Sequence, residues 1–349
     1  MVRFSLTPEQ RLRLDSLIEA WEEASNSGDN SDIEALSEKN LDLVDHFLKE
    51  VAVLKKTAWM EPWRCGPQKP AQTFAPGDEV IPGFFLEKTL GSGGFGTVWQ
   101  ATGPGGVEVA LKCVWMARER AQSEWNSLVL LKKIRHPHLL GLFGLWLKDG
   151  WLWLGSELAE GTLADLFDMN QRQGAAGLNP EDLIPYLKDA ADGLDYLHNL
   201  PQSLVHGDVK PSNLLVMGGR CKVGDFGLVR TVSSPSFLFG LGSTQRFASP
   251  ELILGQSLPA SDQYSLALTY CHLRGAIPFP DQEMGLAKAQ LGASPDLSKF
   301  TDSESLILTK ALAKDPANRF KNCRELIDSL DAATKASRKF HGEIVKPPQ

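Results

Sequence analysis

The stretch from Val205 to Gly227 constrains this chain more than any other. It reads Val205-His206-Gly207-Asp208-Val209-Lys210-Pro211-Ser212-Asn213-Leu214-Leu215-Val216 and, a short strand later, Lys222-Val223-Gly224-Asp225-Phe226-Gly227. Two polar loops therefore flank a short hairpin. The first carries Asp208, Lys210 and Asn213; the second carries Asp225. An Asp-Lys pair in a turn is usually a solvated loop. Here four residues stand at specified offsets, downstream of a glycine-rich loop and a strand lysine in a fixed order. Chance is not a serious competitor.

The upstream glycine-rich loop is Leu90-Gly91-Ser92-Gly93-Gly94-Phe95-Gly96-Thr97-Val98. Glycines let backbone N–H groups approach a phosphate with no Cβ in the way. A glycine-rich hairpin turn would give the same letters. The apolar runs on both sides, Phe84–Leu90 and Val98–Ala101, favour strand–loop–strand, whereas a dinucleotide-binding loop would lead into a helix. The strand lysine is Lys112 in Val107-Glu108-Val109-Ala110-Leu111-Lys112. Among apolar neighbours it is costly to bury without an anionic partner. An exposed edge-strand lysine would read the same in isolation.

Taken together, these residues suit phosphoryl transfer. That chemistry needs positioning and charge neutralisation more than covalent participation. It calls for a carboxylate near the acceptor hydroxyl, a cation on the γ-phosphate, and oxygen ligands for Mg²⁺. Asp208, Lys210, Asn213 and Asp225 supply such a set.

The rest of the chain organises around this core. Residues 1–61 read as a helical appendage. Thr7-Pro8-Glu9-Gln10 opens a helix with proline in its first turn. Leu12, Leu14, Leu17, Ile18 and Trp21 follow on a 3.6-residue period, and after a polar break at 25–32 a second pattern runs from Leu41 to Leu54. Residues 62–83, with five prolines besides Gly66 and Gly77, read as a linker. Short strand-like runs then give way, from about residue 160, to helical patterns. The last segment, 333–349, is Lys-rich and is expected to be a disordered tail.

Composition excludes several classes. A net charge of −7 disfavours nucleic acid as the main partner. The five cysteines, Cys65, Cys113, Cys221, Cys271 and Cys323, are odd in number and lack C-x-x-C spacing, which argues against a disulfide framework and a zinc site. A reducing, cytoplasmic setting fits best. The longest apolar run, His138 to Leu147, is far short of a bilayer span.

The ordered motifs resemble those of the protein kinase superfamily, and in particular the eukaryotic-like Ser/Thr kinases of bacteria. The resemblance covers about residues 84–332. It implies an α+β, two-lobed kinase fold: a small twisted sheet with one helix, then a larger helical lobe, with ATP and Mg²⁺ in the cleft and Ser/Thr-bearing proteins as substrates. By that resemblance Asp208 orients or deprotonates the substrate hydroxyl and Lys210 steadies the γ-phosphate. Asn213 and Asp225 hold Mg²⁺, Lys112 grips the α/β-phosphates, and residues 90–98 cover the nucleotide. Ser156-Glu157-Leu158-Ala159 corresponds to the hinge, with the small Ser156 leaving an open wall behind the adenine. Glu251 in Ser249-Pro250-Glu251 is expected to pair with Arg319, and Asp262 to support the catalytic loop. Lys210 and Ser243-Thr244 resemble the Ser/Thr rather than the tyrosine kinases. The N-terminal helices are a candidate docking element for partners.

Two departures matter. Gly207 stands where the family has an arginine that receives an activation-loop phosphate. Phosphorylation at Ser233, Ser234, Ser236, Ser243 or Thr244 would lack that cation, so constitutive activity or another form of control is expected. The carboxylate expected beside Lys112 is less direct: the commonest spacing falls on Ser127, and Glu124, nearly one helical turn earlier, is the candidate. Glu119 or no pair at all are the alternatives. Competing functions are a kinase-shaped scaffold and a small-molecule kinase. Retention of Lys112, Asp208, Asn213 and Asp225 weighs against the first, and the Ser-Pro-Glu segment against the second.

Overall fold

The computed structural model describes residues 74–93, 96–115, 134–225, 230–231, 246–279 and 290–344. The N-terminal helical patterns and their docking role lie outside these residues, as do Glu124 and the activation-loop serines.

The first half is a six-stranded antiparallel sheet. Its strands are β1 (Glu79–Ile81), β2 (Phe84–Gly93), β3 (Gly96–Thr102), β4 (Glu108–Trp115), β5 (Leu142–Lys148) and β6 (Trp151–Glu157), in the order β1-β2-β3-β4-β6-β5. Alternation in β4 buries Val109, Leu111 and Cys113 on one face, where they join Trp99, Ala101, Trp151 and Trp153 in a separate core. Leu152 and Leu154, on the opposite face of β6, join the main core instead. The sheet curls until its two ends meet. Phe84 of β2 packs against Trp146 of β5 at 5.4 Å, and Lys148 Nζ donates to the Val80 carbonyl at 3.0 Å. Asp149-Gly150 turns β5 into β6 with φ of 52° and 79°, the two-residue hairpin that matches strand twist.

This lobe begins earlier than the proline pattern implies. Residues 74–83, expected as the end of a linker, instead contain β1, and Phe74 packs edge-on against Trp151 at 5.2 Å and Trp153 at 4.9 Å. The curled sheet leaves large aromatics at its mouth, and covering them outweighs the local preference of a Pro/Gly-rich stretch for open loop.

The second half is mainly helical: α1 (Leu163–Arg172), α2 (Pro180–His198), α3 (Pro250–Ile253), α4 (Pro259–Leu273), α5 (Asp302–Ala311) and α6 (Cys323–Ile344). A small sheet joins β7 (Gly161–Thr162), β9 (Leu214–Met217) and β10 (Arg220–Val223), while β8 (Leu204–Val205) pairs with β11 (Arg230–Thr231). α4 is buried on almost every side, so it serves as the axis on which other parts are hung. Thr162 with Asp165, and Thr301 with Glu304, form capping boxes that start α1 and α5.

Residues 333–344, expected as a disordered tail, continue α6. Ala333 is buried, and Asp331 binds both Lys335 at 2.8 Å and Lys188 of α2 at 2.7 Å. Good helix formers attached to an already nucleated helix propagate at little cost. Among the described residues no helix is long and apolar enough to cross a membrane.

Candidate active site

β4 and the loops around β9 and β10 bring the sequence-predicted residues together. Lys112 lies opposite Leu154 in the β4–β6 pairing, on the face away from Val109, Leu111 and Cys113. Its ammonium forms an ion pair with Asp225. A strand lysine whose side chain is only 14% exposed requires such a carboxylate. The pairing with Asp225 was not anticipated from sequence. Asp225 takes φ of 59°, a left-handed conformation uncommon for a residue with a Cβ.

Asp208 is buried. Its Oδ2 accepts from Lys210 Nζ at 2.8 Å and from Asn213 Nδ2 at 2.9 Å, and Asn213 Nδ2 also donates to the Asp208 carbonyl at 2.8 Å. Its Oδ1 is buried and has no hydrogen-bond partner among the described residues. Burial raises the pKa of Asp208 above the usual carboxylate range, with Asp225's charge adding to the effect and Lys210 opposing it. One oxygen is thus held rigidly and the other is an uncommitted acceptor. Asn213, having spent its N–H on Asp208, keeps its amide oxygen for another use.

A second layer holds this loop in place. Asp262 on α4 is fully buried. Its Oδ2 accepts from the His206 amide and from His198 Nε2, and its Oδ1 from the Gly207 amide, each at 2.8 Å. His206 Nε2 donates to the Gly224 carbonyl at 2.9 Å, while its Nδ1 accepts from the Asp208 amide at 3.3 Å. The loop carrying Asp208 is thereby linked to the residue preceding Asp225. Asp262 was foreseen; His198 and His206 were not. Their only sequence signals are the spacing of His198 from Asp195 and the adjacency of His206 to the motif.

His198 is shielded by burial, which opposes protonation, but Asp195 and Asp262 outweigh it and raise its pKa to about 9. Asp195, His198 and Cys323 place ligand atoms within 4.8 Å of one another, the one such grouping among the described residues. Its members have other occupations. Asp195 accepts the Cys323 and Arg324 amides at 2.9 Å each and so caps α6, and burial pushes the Cys323 thiol well up. The cluster is structural.

Glu251 and Arg319 pair as expected, beneath the segment that follows the activation loop. Residues 90–93 close β2 and 96–98 open β3, so the glycine motif is a strand–loop–strand hairpin; Gly94 and Phe95 lie outside the described residues. Gly96 is glycine for a local reason: φ is 119°, and a Cβ would stand 2.1 Å from the Cys113 carbonyl oxygen. Glu157 ends β6 and Ala159 lies just beyond it, on the crossing to the helical half. Ser156 is buried opposite Ala110 in β4 and Leu142 in β5.

A curled sheet and a helical half joined at a site of this composition define the protein kinases. The protein kinase domain profile matches residues 84–340, and the chain belongs to that family. It is 29% identical over 269 residues to the serine/threonine-protein kinase PknF of Mycobacterium tuberculosis, covering 71% of this chain and 56% of that protein. It is 30% identical over 267 residues to the serine/threonine-protein kinase PknI of Mycobacterium bovis, covering 71% and 41% respectively. The chain spans about half the length of these relatives.

Proposed function

We propose that this chain transfers the γ-phosphoryl group of ATP, with Mg²⁺, to serine and threonine hydroxyls of protein substrates. The observation that carries this reading is the Asp208 carboxylate. Lys210 and Asn213 hold one of its oxygens, and the other is buried with no hydrogen-bond partner among the described residues, placed to accept a hydroxyl proton. The Asp225 carboxylate and the Asn213 amide oxygen form the hard-oxygen set that would hold Mg²⁺, which when bound neutralises charge on the phosphates. Lys112 is fixed beside Asp225, where its cation serves the α/β-phosphates; Glu124 remains the proposed second carboxylate for it. Glu157 to Ala159 would present backbone groups to the adenine edge, and residues 90–98 would cover the phosphates. The names of PknF and PknI, and Lys210 in this chain, support serine/threonine as acceptors. With glycine at 207, activity does not depend on an arginine–phosphate contact from the activation loop.

Incubation with labelled ATP, Mg²⁺ and generic acceptor proteins, followed by phosphoamino-acid analysis, tests the reading. Phosphoserine or phosphothreonine should form with the wild type and not with Asp208→Asn, which should still bind ATP. Binding of ATP without transfer by the wild type would identify a kinase-shaped scaffold. Near-wild-type turnover in Asp208→Asn would overturn the role given to that carboxylate.

A further inference from the structure

β10 leads directly into Gly224 and Asp225, so whatever grips β10 also locates the Asp225 carboxylate. Two backbone bonds do so at Val223: its amide donates to the His138 carbonyl, and its carbonyl accepts from the Leu140 amide, both at 2.9 Å. A third contact is made by a side chain. Lys222 Nζ donates to Glu157 Oε1 at 2.6 Å, and the same oxygen accepts from the Gly141 amide at 2.9 Å. Gly141 immediately precedes β5, and Glu157 is the last residue of β6. One carboxylate oxygen therefore fastens together the entry to β5, the exit from β6 and the strand that delivers Asp225.

We propose that Lys222 and Glu157 are positioning residues whose ion pair holds the hinge segment in register with Asp225, and so sets the grip of the site on ATP. This rests on the kinase reading above. The pair touches no reacting atom. Its side chains are 23% and 35% exposed, and an isolated pair with that exposure would contribute little. Two features separate it from such a pair. The acceptor oxygen is shared with a backbone amide, which restricts the carboxylate before the lysine arrives. The bond is also charge-assisted and joins residues 65 apart in the chain. Gly141 leaves room for it: a Cβ there would lie 3.3 Å from Glu157 Oε1, tighter than an ordinary contact.

Because the two ends of the nucleotide site lie on the two segments joined, loss of the pair should weaken ATP without changing the chemical step. Glu157→Gln keeps an oxygen acceptor for Gly141 but loses the charge; Lys222→Met loses the cation but keeps the stem. Each should raise the KM for ATP about three- to tenfold, with kcat within about twofold, and should weaken ATP binding by the same factor. The double variant should be no worse than either single, and Lys222→Arg should behave as wild type. A KM for ATP within twofold of wild type in both singles overturns the proposal, as do additive effects or a lowered melting temperature with unchanged nucleotide affinity. ATP binding is measured apart from transfer. A wild type that binds ATP but transfers nothing, and whose variants bind more weakly, would leave the strap standing while the kinase reading falls.

Discussion

Arg319 closes on Glu251 as a planar fork, Nη1 to Oε1 and Nη2 to Oε2, each at 2.8 Å. Ser261 Oγ adds a third bond to Oε1 at 2.7 Å, and the guanidinium lies over the Tyr264 ring. Burial alone would raise the pKa of Glu251, but Arg319 reverses that and holds it below its ordinary value of 4.5. Removing Arg319 strands a buried carboxylate. Arg319→Ala should cost about 3–5 kcal/mol in unfolding free energy, and Arg319→Lys much of that because an ammonium cannot form the fork. Because the folded pKa is depressed, this contribution is present above about pH 4.5 and is lost as pH falls through the folded value. Denaturant unfolding of wild type and Arg319→Ala at pH 7 and pH 4 checks both parts.

Lys112→Met should lower activity by orders of magnitude, since it removes a fixed cation from a partly buried site. Glu124→Gln should be impaired but milder. If Glu124→Gln retains full activity while Lys112→Met is inactive, Asp225 is the carboxylate that matters to the lysine.

His198 should make stability fall on the alkaline side. Its folded pKa of about 9 lies above its ordinary value of 6.5. The stabilisation is therefore complete below pH 6.5 and is lost as pH rises through 9, with a limit on the order of 3 kcal/mol. His198→Gln should be less stable at pH 6 and should show a flatter dependence between pH 6.5 and 9. Parallel slopes for the two proteins would refute the assignment.

Gly207 takes φ of 75° while its amide binds Asp262. Gly207→Ala should destabilise by about 1 kcal/mol, and Gly207→Asn by less, because asparagine tolerates left-handed backbone better. Chemical denaturation distinguishes the two. Equal losses would mean that bulk, rather than backbone conformation, is what position 207 rejects.

Ser156 is small and sits across from Ala110, where the hinge is entered. ATP-competitive inhibitors with bulky aromatic extensions should bind well, and Ser156→Phe should block them while affecting ATP much less. Equal sensitivity of the two proteins to one bulky analogue would show that the hinge lies elsewhere.

The cluster around Asp208 was legible in sequence because its members are few residues apart and the contacts among them are local. Asp208, Lys210 and Asn213 sit in one loop, and the hydrogen bonds among them need no distant element. The glycine hairpin and the Lys112 strand were legible from the apolar runs that flank the glycines and precede the lysine. Glu251, Arg319 and Asp262 were reached through family resemblance, since nothing in their own spacing announces a contact.

Other features were decided only by the tertiary structure. The Lys112–Asp225 pair joins residues 113 apart, and the Lys222–Glu157 pair residues 65 apart. Such pairs depend on which carboxylate burial leaves within reach of a lysine, and a linear pattern does not encode that. The same holds for Phe74 and β1, which order because curling of the sheet exposes Trp151 and Trp153. It holds for residues 333–344, which continue α6 and whose Lys335 finds Asp331. It also holds for Gly96, which reads as a phosphate glycine and is required first by the close approach of β4. By itself the sequence determined which motif residues the chain carries, and hence the chemistry proposed for them. Only the tertiary structure decided which charges hold that chemistry in place, because desolvation and pairing act between segments that meet only once the chain has folded.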